Sequence, residues 1–268
     1  MWKEQRIRKV AIATWDNPPH GYYDLDGVTQ LSAMVETWTA DDAVRAVVLT
    51  GGTDNRFVTM FSPEHLVMGQ KTPLVDRVAD GPDRYLRMHD SFSRLTALRK
   101  PVIAALNGDA MGIGFTLALA SDIRIAQAGD HLYGLPEVKL GLVPGASALQ
   151  RLSRLIGSAT ALEFALRGRV VDPQTAHTLG LVHEVVPDAR RSALEMAHGL
   201  ASLPVQAVGL TKYAFYAGMD LRLDDAVSIE AHASMRARLA DDAADRITTF
   251  VSQPFEDARR WIAEDPHE

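Results

Sequence analysis

The sequence contains no cysteine among its 268 residues. This absence excludes a disulfide framework, a thiolate nucleophile and a cysteine metal site. A chain of this length buries a substantial apolar core without covalent cross-links. Hydrophobic residues make up 47% of the chain and charged residues 23%, which is typical of a globular protein with one large domain or a domain and an appendage.

Long hydrophobic runs are also lacking. No stretch approaches the roughly 18 uninterrupted apolar residues of a membrane-spanning helix. The first ten residues, MWKEQRIRKV, contain no apolar run of the kind found in a signal peptide. We therefore expect no membrane partner and a cytoplasmic location.

Positive charge is not in excess, because the formal net charge is −6. A general nucleic-acid-binding protein carries a basic face, so we expect no nucleic-acid partner. A small anionic ligand remains compatible with this charge, since a few local cations and a helix N-terminus can hold one.

Several catalytic motifs are missing. His-Glu-x-x-His is absent, and we expect no metal site. No Gly-Lys-Ser/Thr follows the glycine-rich segment, which excludes a P-loop. The segment Gly145–Leu149 lacks the closing glycine of a serine-hydrolase elbow. Gly112 and Gly114 form G-x-G, but Leu117 stands where a dinucleotide-binding motif has its third glycine.

The pattern that is present predicts an α/β protein. Short β-branched or apolar segments alternate with segments of helical periodicity up to about residue 187. From residue 188 to 268 the pattern is helical, with Pro204 marking a break. The sequence therefore predicts a mixed α/β core over 1–187 and an all-helical C-terminal region over 188–268, with an irregular segment after residue 52.

The most informative local feature is the stretch VIAALNGDAMGIGF, which runs from strand through turn to helix. Glycines at the start of a helix allow a ligand to approach backbone N–H groups that have no intrahelical partner. The helix dipole makes that end positive, so the arrangement suits an oxyanion. The alternative interpretation is that the glycines only permit close packing of helix and strand.

Three ordered stretches resemble the crotonase superfamily, also called the enoyl-CoA hydratase/isomerase family. They are KPVIAALNGDAMGIGFTLALASDIRIA, YGLPEVKLGLVPGASALQRLSRLIG and ALRGRVVDPQTAHTLGLVHEVVP. The resemblance implies a crotonase-like spiral core of stacked ββα units and a helical C-terminal trimerisation region. It also implies an acyl-CoA thioester substrate, with coenzyme A as part of the substrate rather than a permanently bound cofactor. Self-association as a homotrimer or a dimer of trimers is expected.

The resemblance further implies an oxyanion hole of two backbone N–H groups, which we place at Ile113 and Glu64. Other residues follow from the same motifs. Those expected to contact the substrate are Gly112, Thr116, His65 and Leu135, and those expected to contact coenzyme A are Ser62 and Leu66. Asp122 matches a position that looks structural, and Lys212 is interpreted as a helix-surface lysine rather than a ligand of a CoA phosphate.

Hydratases of this family are expected to carry two glutamates, one on the helix after the glycines and one in a Pro-Glu turn. Here the second is Glu137, and the first position holds Thr116. A carboxylate accepts a proton near neutral pH when burial raises its pKa, whereas a threonine hydroxyl only forms hydrogen bonds. One carboxylate suffices for a 1,3-proton shift, so Thr116 favours double-bond isomerisation with Glu137 as the single base.

Two alternatives remain open at this point. The chain could be an enoyl-CoA hydratase or a C–C hydrolase of the same family, in which Glu64 or His65 replaces the missing acid. It could also be a non-catalytic acyl-CoA-binding protein that kept the fold. The sequence identifies neither the acyl group nor the choice between trimer and hexamer.

Overall fold

Two β-sheets form the framework of the part of the chain that the structure describes. The computed structural model describes residues 1–73, 75–76 and 83–263. Within these residues the strands are β1 (Trp2–Ile7), β2 (Val10–Trp15), β3 (Ala46–Gly51), β4 (Asn55–Arg56), β5 (Val102–Leu106), β6 (Gly108–Met111), β7 (Ile123–Gln127), β8 (Tyr133–Gly134), β9 (Val170–Val171) and β10 (Glu184–Val186).

The larger sheet has the strand order β1-β2-β3-β5-β7-β10. Strands β1 and β2 form an antiparallel hairpin, and the remaining pairs are parallel. Every residue of β3 and β5 is buried. This agrees with their continuous apolar sequences, because parallel strands between two layers are covered on both faces.

The smaller sheet has the order β4-β6-β8-β9 and carries the candidate site. Strands β4, β6 and β8 run parallel, and β9 pairs antiparallel with β8. Strand β6 follows β5 after only one residue. The last strand residue before the glycine-rich turn, Met111, pairs with Gly134 of β8, which brings that turn beside the Pro-Glu turn.

Helices flank and extend the sheets. They are α1 (Leu25–Ala40), α2 (Pro63–Lys71), α3 (Asp83–Ala97), α4 (Ile113–Leu119), α5 (Ala148–Ile156), α6 (Ser158–Leu166), α7 (Pro173–Thr178), α8 (Ala189–Ser202), α9 (Val205–Gly218), α10 (Leu223–Arg238), α11 (Asp241–Ser252) and α12 (Phe255–Ala263). The predicted break at Pro204 lies between α8 and α9. A 3₁₀ helix spans Glu137–Leu140.

The C-terminal helices have two different surroundings. Helix α8 packs four buried alanines against the larger sheet, in one apolar cluster with strand residues such as Val48 and Ile103. Helices α9 and α10 share a separate cluster around Leu210, Ala214 and Ala233. The helical character predicted for 188–268 is confirmed up to residue 263, and residues 264–268 lie outside the described part of the chain. The division into two domains at residue 187 stays a prediction.

Sequence periodicity missed some short elements. Helix α2 lies in the segment expected to be irregular, because its nine residues carry few apolar side chains to mark a buried face. The two-residue strands β4 and β9 were also missed, since strands this short show no alternation.

A buried ionic contact ties α9 to the core. The Asp122 carboxylate accepts hydrogen bonds from Lys212 Nζ at 2.7 Å, from the Tyr216 hydroxyl at 2.9 Å and from the Val102 N–H at 2.7 Å. These three hydrogen bonds agree with the structural role predicted for Asp122. The interpretation of Lys212 as a surface lysine is wrong, because its side chain is only 7% exposed.

Across the described parts of the chain, none of the helices combines the length and the apolar character needed to cross a bilayer.

Candidate active site

Gly112 stands at the centre of the candidate site, between β6 and α4. Its N–H donates to the carbonyl of Gly134 at 2.9 Å, which ties the two turns together. Its φ of +54° lies in a region that favours glycine. A Cβ at this position would stand 3.1 Å from Oε1 of Glu137. The backbone of residue 112 and the Glu137 carboxylate are therefore neighbours.

Ile113 is the first residue of α4, and the N–H groups of the first helical turn have no intrahelical acceptor. Here the helix comes very close to another segment. A Cβ on Gly114 would lie 1.7 Å from the carbonyl oxygen of Val58, so only glycine permits this approach. The start of α4 is therefore packed directly against the segment 57–61.

Glu137 opens the 3₁₀ helix that follows β8 and is half-buried. Burial raises the pKa of its carboxyl group above the usual value, while its own backbone N–H opposes that rise. Its Oε2 atom is buried and has no hydrogen-bond partner. A carboxylate in these surroundings is ready to accept a proton from a bound molecule.

Thr116 lies on α4, one turn after Gly112, and its side chain is buried at 1% exposure. The hydroxyl donates to the carbonyl oxygen of Gly112 at 2.9 Å. We expected this side chain to contact the substrate. The structure directs its hydroxyl to the backbone of the glycine turn.

The segment before α2 pairs with Tyr23 and lies beside the glycine turn, where the Met111 N–H donates to the Thr59 carbonyl at 2.7 Å. The Tyr23 N–H donates to the Met60 carbonyl, and the Ser62 N–H donates to the Tyr23 carbonyl, both at 2.8 Å. In an extended segment successive peptides alternate in direction. The N–H of Phe61, which bridges Tyr23, therefore points away from Tyr23. Motif reasoning did not single out Phe61.

The predicted oxyanion donor Glu64 has a different local arrangement. It is the second residue of α2, and its carboxylate accepts from the Ser62 hydroxyl at 2.7 Å. This hydrogen bond, followed by one from the backbone N–H of Glu64 itself, lowers the pKa of the carboxyl group. The N–H expected to face a thioester therefore lies in the first turn of a helix and not in the extended segment that pairs with Tyr23.

The remaining predicted site residues divide between α2 and the core. The His65 ring packs 5.9 Å from the Phe61 ring, and its Nδ1 atom is buried without a hydrogen-bond partner. Leu66 is half-buried in the first turn of α2. Leu135 is fully buried, with its N–H bonded to the Arg169 carbonyl at 3.0 Å. Its expected contact with the substrate stays a prediction.

No group of three or more histidine, aspartate or glutamate side chains in the described ranges is arranged to hold a metal ion.

Comparison with known proteins agrees with this geometry. The family model described as enoyl-CoA hydratase/isomerase matches residues 6–253. The chain is 31% identical over 253 residues to the short-chain-enoyl-CoA hydratase of Clostridium acetobutylicum, covering 91% of this chain and 92% of that one. It is 34% identical over 196 residues to the fatty acid oxidation complex subunit alpha of Shewanella amazonensis, covering 70% of this chain and 26% of that protein.

Solved structures show the same fold. The enoyl-CoA hydratase of Bacillus anthracis superposes with a TM-score of 0.85 at 27% identity, covering 94% of this chain and 96% of that one. DspI of Pseudomonas aeruginosa superposes with a TM-score of 0.86 at 28% identity, covering 94% of each chain. These matches confirm the predicted crotonase-like fold. The chain belongs to the enoyl-CoA hydratase/isomerase family of acyl-CoA-processing enzymes.

Proposed function

We propose that this enzyme moves the double bond of an enoyl-CoA by a single-base proton shuttle. Glu137 removes a proton from one carbon of the acyl chain and returns it two carbons along. Backbone N–H groups hold the thioester oxygen while it carries negative charge as a dienolate. Water takes no part in this reaction.

One observation carries the proposal. The Glu137 carboxylate is half-buried beside Gly112, with one oxygen lacking a partner, and position 116 on the facing helix supplies no second carboxylate. A threonine hydroxyl does not titrate in the range of catalytic acids and bases. Of the two motif positions at which hydratases are expected to carry glutamates, only position 137 holds a carboxylate in this sequence, so we assign the proton transfer to Glu137.

The oxyanion hole in this proposal is formed by Ile113 and one N–H from the segment 61–64. The pairing of Tyr23 with Phe61 favours Phe61 as the second donor, because that pairing turns its N–H away from Tyr23. Glu64 lies within α2, beyond the extended segment that pairs with Tyr23, and this placement argues against the donor expected from sequence. Ser62 and Leu66 remain our candidates for contacts with coenzyme A.

Replacing Glu137 by glutamine tests the proposed base. Glu137→Gln keeps the size of the side chain and removes its ability to accept a proton. We expect kcat for isomerisation of a 3-enoyl-CoA to fall on the order of 1,000-fold, within the usual range for general acid–base catalysis. A panel of 3-enoyl-CoA substrates, with products identified by mass and NMR, measures this change.

The matched control is Glu163→Gln, which makes the same substitution on α6 at a solvent-accessible carboxylate paired with Arg167 and Arg169. This variant should keep wild-type turnover. Unchanged isomerisation by Glu137→Gln would show that another group moves the proton.

Hydration is the second candidate, because the Clostridium acetobutylicum relative is named a hydratase. In that case Glu64 or His65 would assist Glu137 in handling water. The two functions differ in the source of oxygen, since hydration transfers a solvent oxygen to the product. Incubation of a 2-enoyl-CoA in ¹⁸O-water, followed by mass spectrometry, distinguishes them.

A further inference from the structure

The peptide unit that joins Gly112 to Ile113 has two functional ends. Its N–H belongs to Ile113, the proposed oxyanion donor. Its carbonyl belongs to Gly112 and points to the interior of α4. Because a peptide is planar, any group that fixes the carbonyl also fixes the direction of the N–H.

Thr116 holds that carbonyl with two hydrogen bonds. Its backbone N–H donates to the Gly112 oxygen at 2.9 Å as part of the helix, and its hydroxyl donates to the same oxygen at 2.9 Å. The hydroxyl is buried at 1% exposure, so water does not compete for it. The other side of Gly112 is tied by its own N–H, which donates to Gly134.

A second donor on the carbonyl has an electronic consequence. Hydrogen bonds along a peptide polarise one another, so a carbonyl that accepts more strongly makes the N–H of the same peptide a better donor. In a buried site this effect is stronger than in water. The additional hydroxyl therefore both orients the Ile113 N–H and strengthens it toward a negatively charged oxygen.

We propose that Thr116 is a positioning residue that acts on the thioester oxygen through the Gly112–Ile113 peptide. This inference rests on the proposed function, because it assigns the role of residue 116 within the same oxyanion hole. It gives the threonine a function through the backbone, where the sequence predicted a contact with the substrate and the loss of a second carboxylate.

The test measures how strongly the bound thioester carbonyl is polarised. Butyryl-CoA with ¹³C at the thioester carbon is the probe, since it has no double bond to move. Infrared difference spectra are recorded for the Glu137→Gln enzyme and for the same enzyme carrying Thr116→Val or Thr116→Ser. Valine keeps the shape of threonine without the hydroxyl, and serine keeps the hydroxyl.

We expect the carbonyl stretch to move to lower frequency on binding to the Glu137→Gln enzyme. Thr116→Val should lose a large part of that shift, and Thr116→Ser should retain it. In the enzyme with Glu137 intact, Thr116→Val should lower kcat about 5-fold with little change in KM, as expected for one neutral hydrogen bond. Thr116→Ser should restore turnover.

The outcomes separate two failures. A full carbonyl shift in a folded Thr116→Val protein overturns the role of the hydroxyl and leaves the proposed function intact. If the carbonyl stretch does not move on binding to the Glu137→Gln enzyme, in which Thr116 is intact, the proposed oxyanion hole is wrong. If Thr116→Val does not fold, Thr116→Ala removes the hydroxyl without a second methyl group, and its spectrum decides the question.

Discussion

At the scale of single residues, two glutamates near the site have pKa values shifted in opposite directions by their surroundings. Glu137 is an acid whose burial raises its pKa, and Glu64 is an acid whose hydrogen bond from Ser62 lowers its pKa. At neutral pH the Glu64 carboxylate is therefore charged and already paired. Of these two carboxylates, Glu137 is the more easily protonated, which suits a base that takes up a proton and then returns it.

The raised pKa of Glu137 predicts a pH dependence of kcat/KM. The base must be ionised, so the rate should fall as the pH decreases through the folded-state pKa, with a slope of about one decade per pH unit. Because burial raises that pKa, the decrease should begin at a higher pH than for an exposed glutamate. Rates measured from pH 4 to 9 give the midpoint, and a midpoint at or below the ordinary glutamate value would contradict the role of burial.

The raised pKa of Glu137 also makes the free energy of unfolding depend on pH. A raised carboxyl pKa means that the folded protein binds this proton more tightly than the unfolded chain. The contribution to the free energy of unfolding is present at acid pH and is lost as the pH rises through the folded-state pKa. Glu137→Gln should therefore unfold at an equal or higher temperature than wild type at pH 7.

At the scale of elements, the start of α2 separates the local structures of the two candidate oxyanion donors, Phe61 and Glu64. Pro63 begins the helix, Ser62 donates its hydroxyl to Glu64, and the preceding residues pair with Tyr23. Residues 61 and 64 thus belong to different local structures, one extended and one helical. Their N–H groups do not substitute for one another.

Proline substitutions distinguish these two donors, because proline has no N–H. We expect Phe61→Pro to lose on the order of 100-fold in kcat relative to Phe61→Ala, within the range seen for removal of one oxyanion donor. Glu64→Pro should stay within a few-fold of Glu64→Ala, since the first turn of a helix tolerates proline. Steady-state rates of the four variants are compared, and the reverse ranking would place the donor at Glu64.

At the scale of the whole molecule, the described surface of the C-terminal helices carries large apolar side chains without cover. They include Phe215 on α9, Leu223 and Leu239 at either end of α10, Val251 on α11 and Phe255 on α12, all more than 60% exposed. Monomeric proteins seldom leave large contiguous apolar patches in water. This exposure supports the expected self-association, which the single chain does not display.

We predict an assembly of three or six copies of the 29.3 kDa chain. Light scattering coupled to size exclusion measures the mass directly. Leu239→Glu places a charge on the exposed face of α10 and should shift the mass toward the monomer. Lys3→Glu, a change at an exposed side chain of β1, is the control. A monomeric wild-type protein at micromolar concentration would contradict the prediction.

Much of the fold was predictable because its signals are local. The buried strands β3 and β5 are continuous apolar runs, and the break at Pro204 follows from a ring that removes a donor and fixes φ. The pair formed by Gly112 and Glu137 was also predictable, since both lie in ordered motifs that resemble one family. The strands and the break depend on residues close to each other in the chain, and the Gly112–Glu137 pair depends on the order of two motifs along it.

Other features depended on contacts between distant segments. The sequence alone determined that one carboxylate, Glu137, accompanies a glycine turn, and that position 116 holds no second acid. Only the tertiary structure decided that Lys212 is buried against Asp122. It also decided that the N–H of Phe61 points away from Tyr23 and that the Thr116 hydroxyl donates to the Gly112 carbonyl. The direction of a hydrogen bond depends on backbone orientation and burial, and both arise only when separate segments pack together.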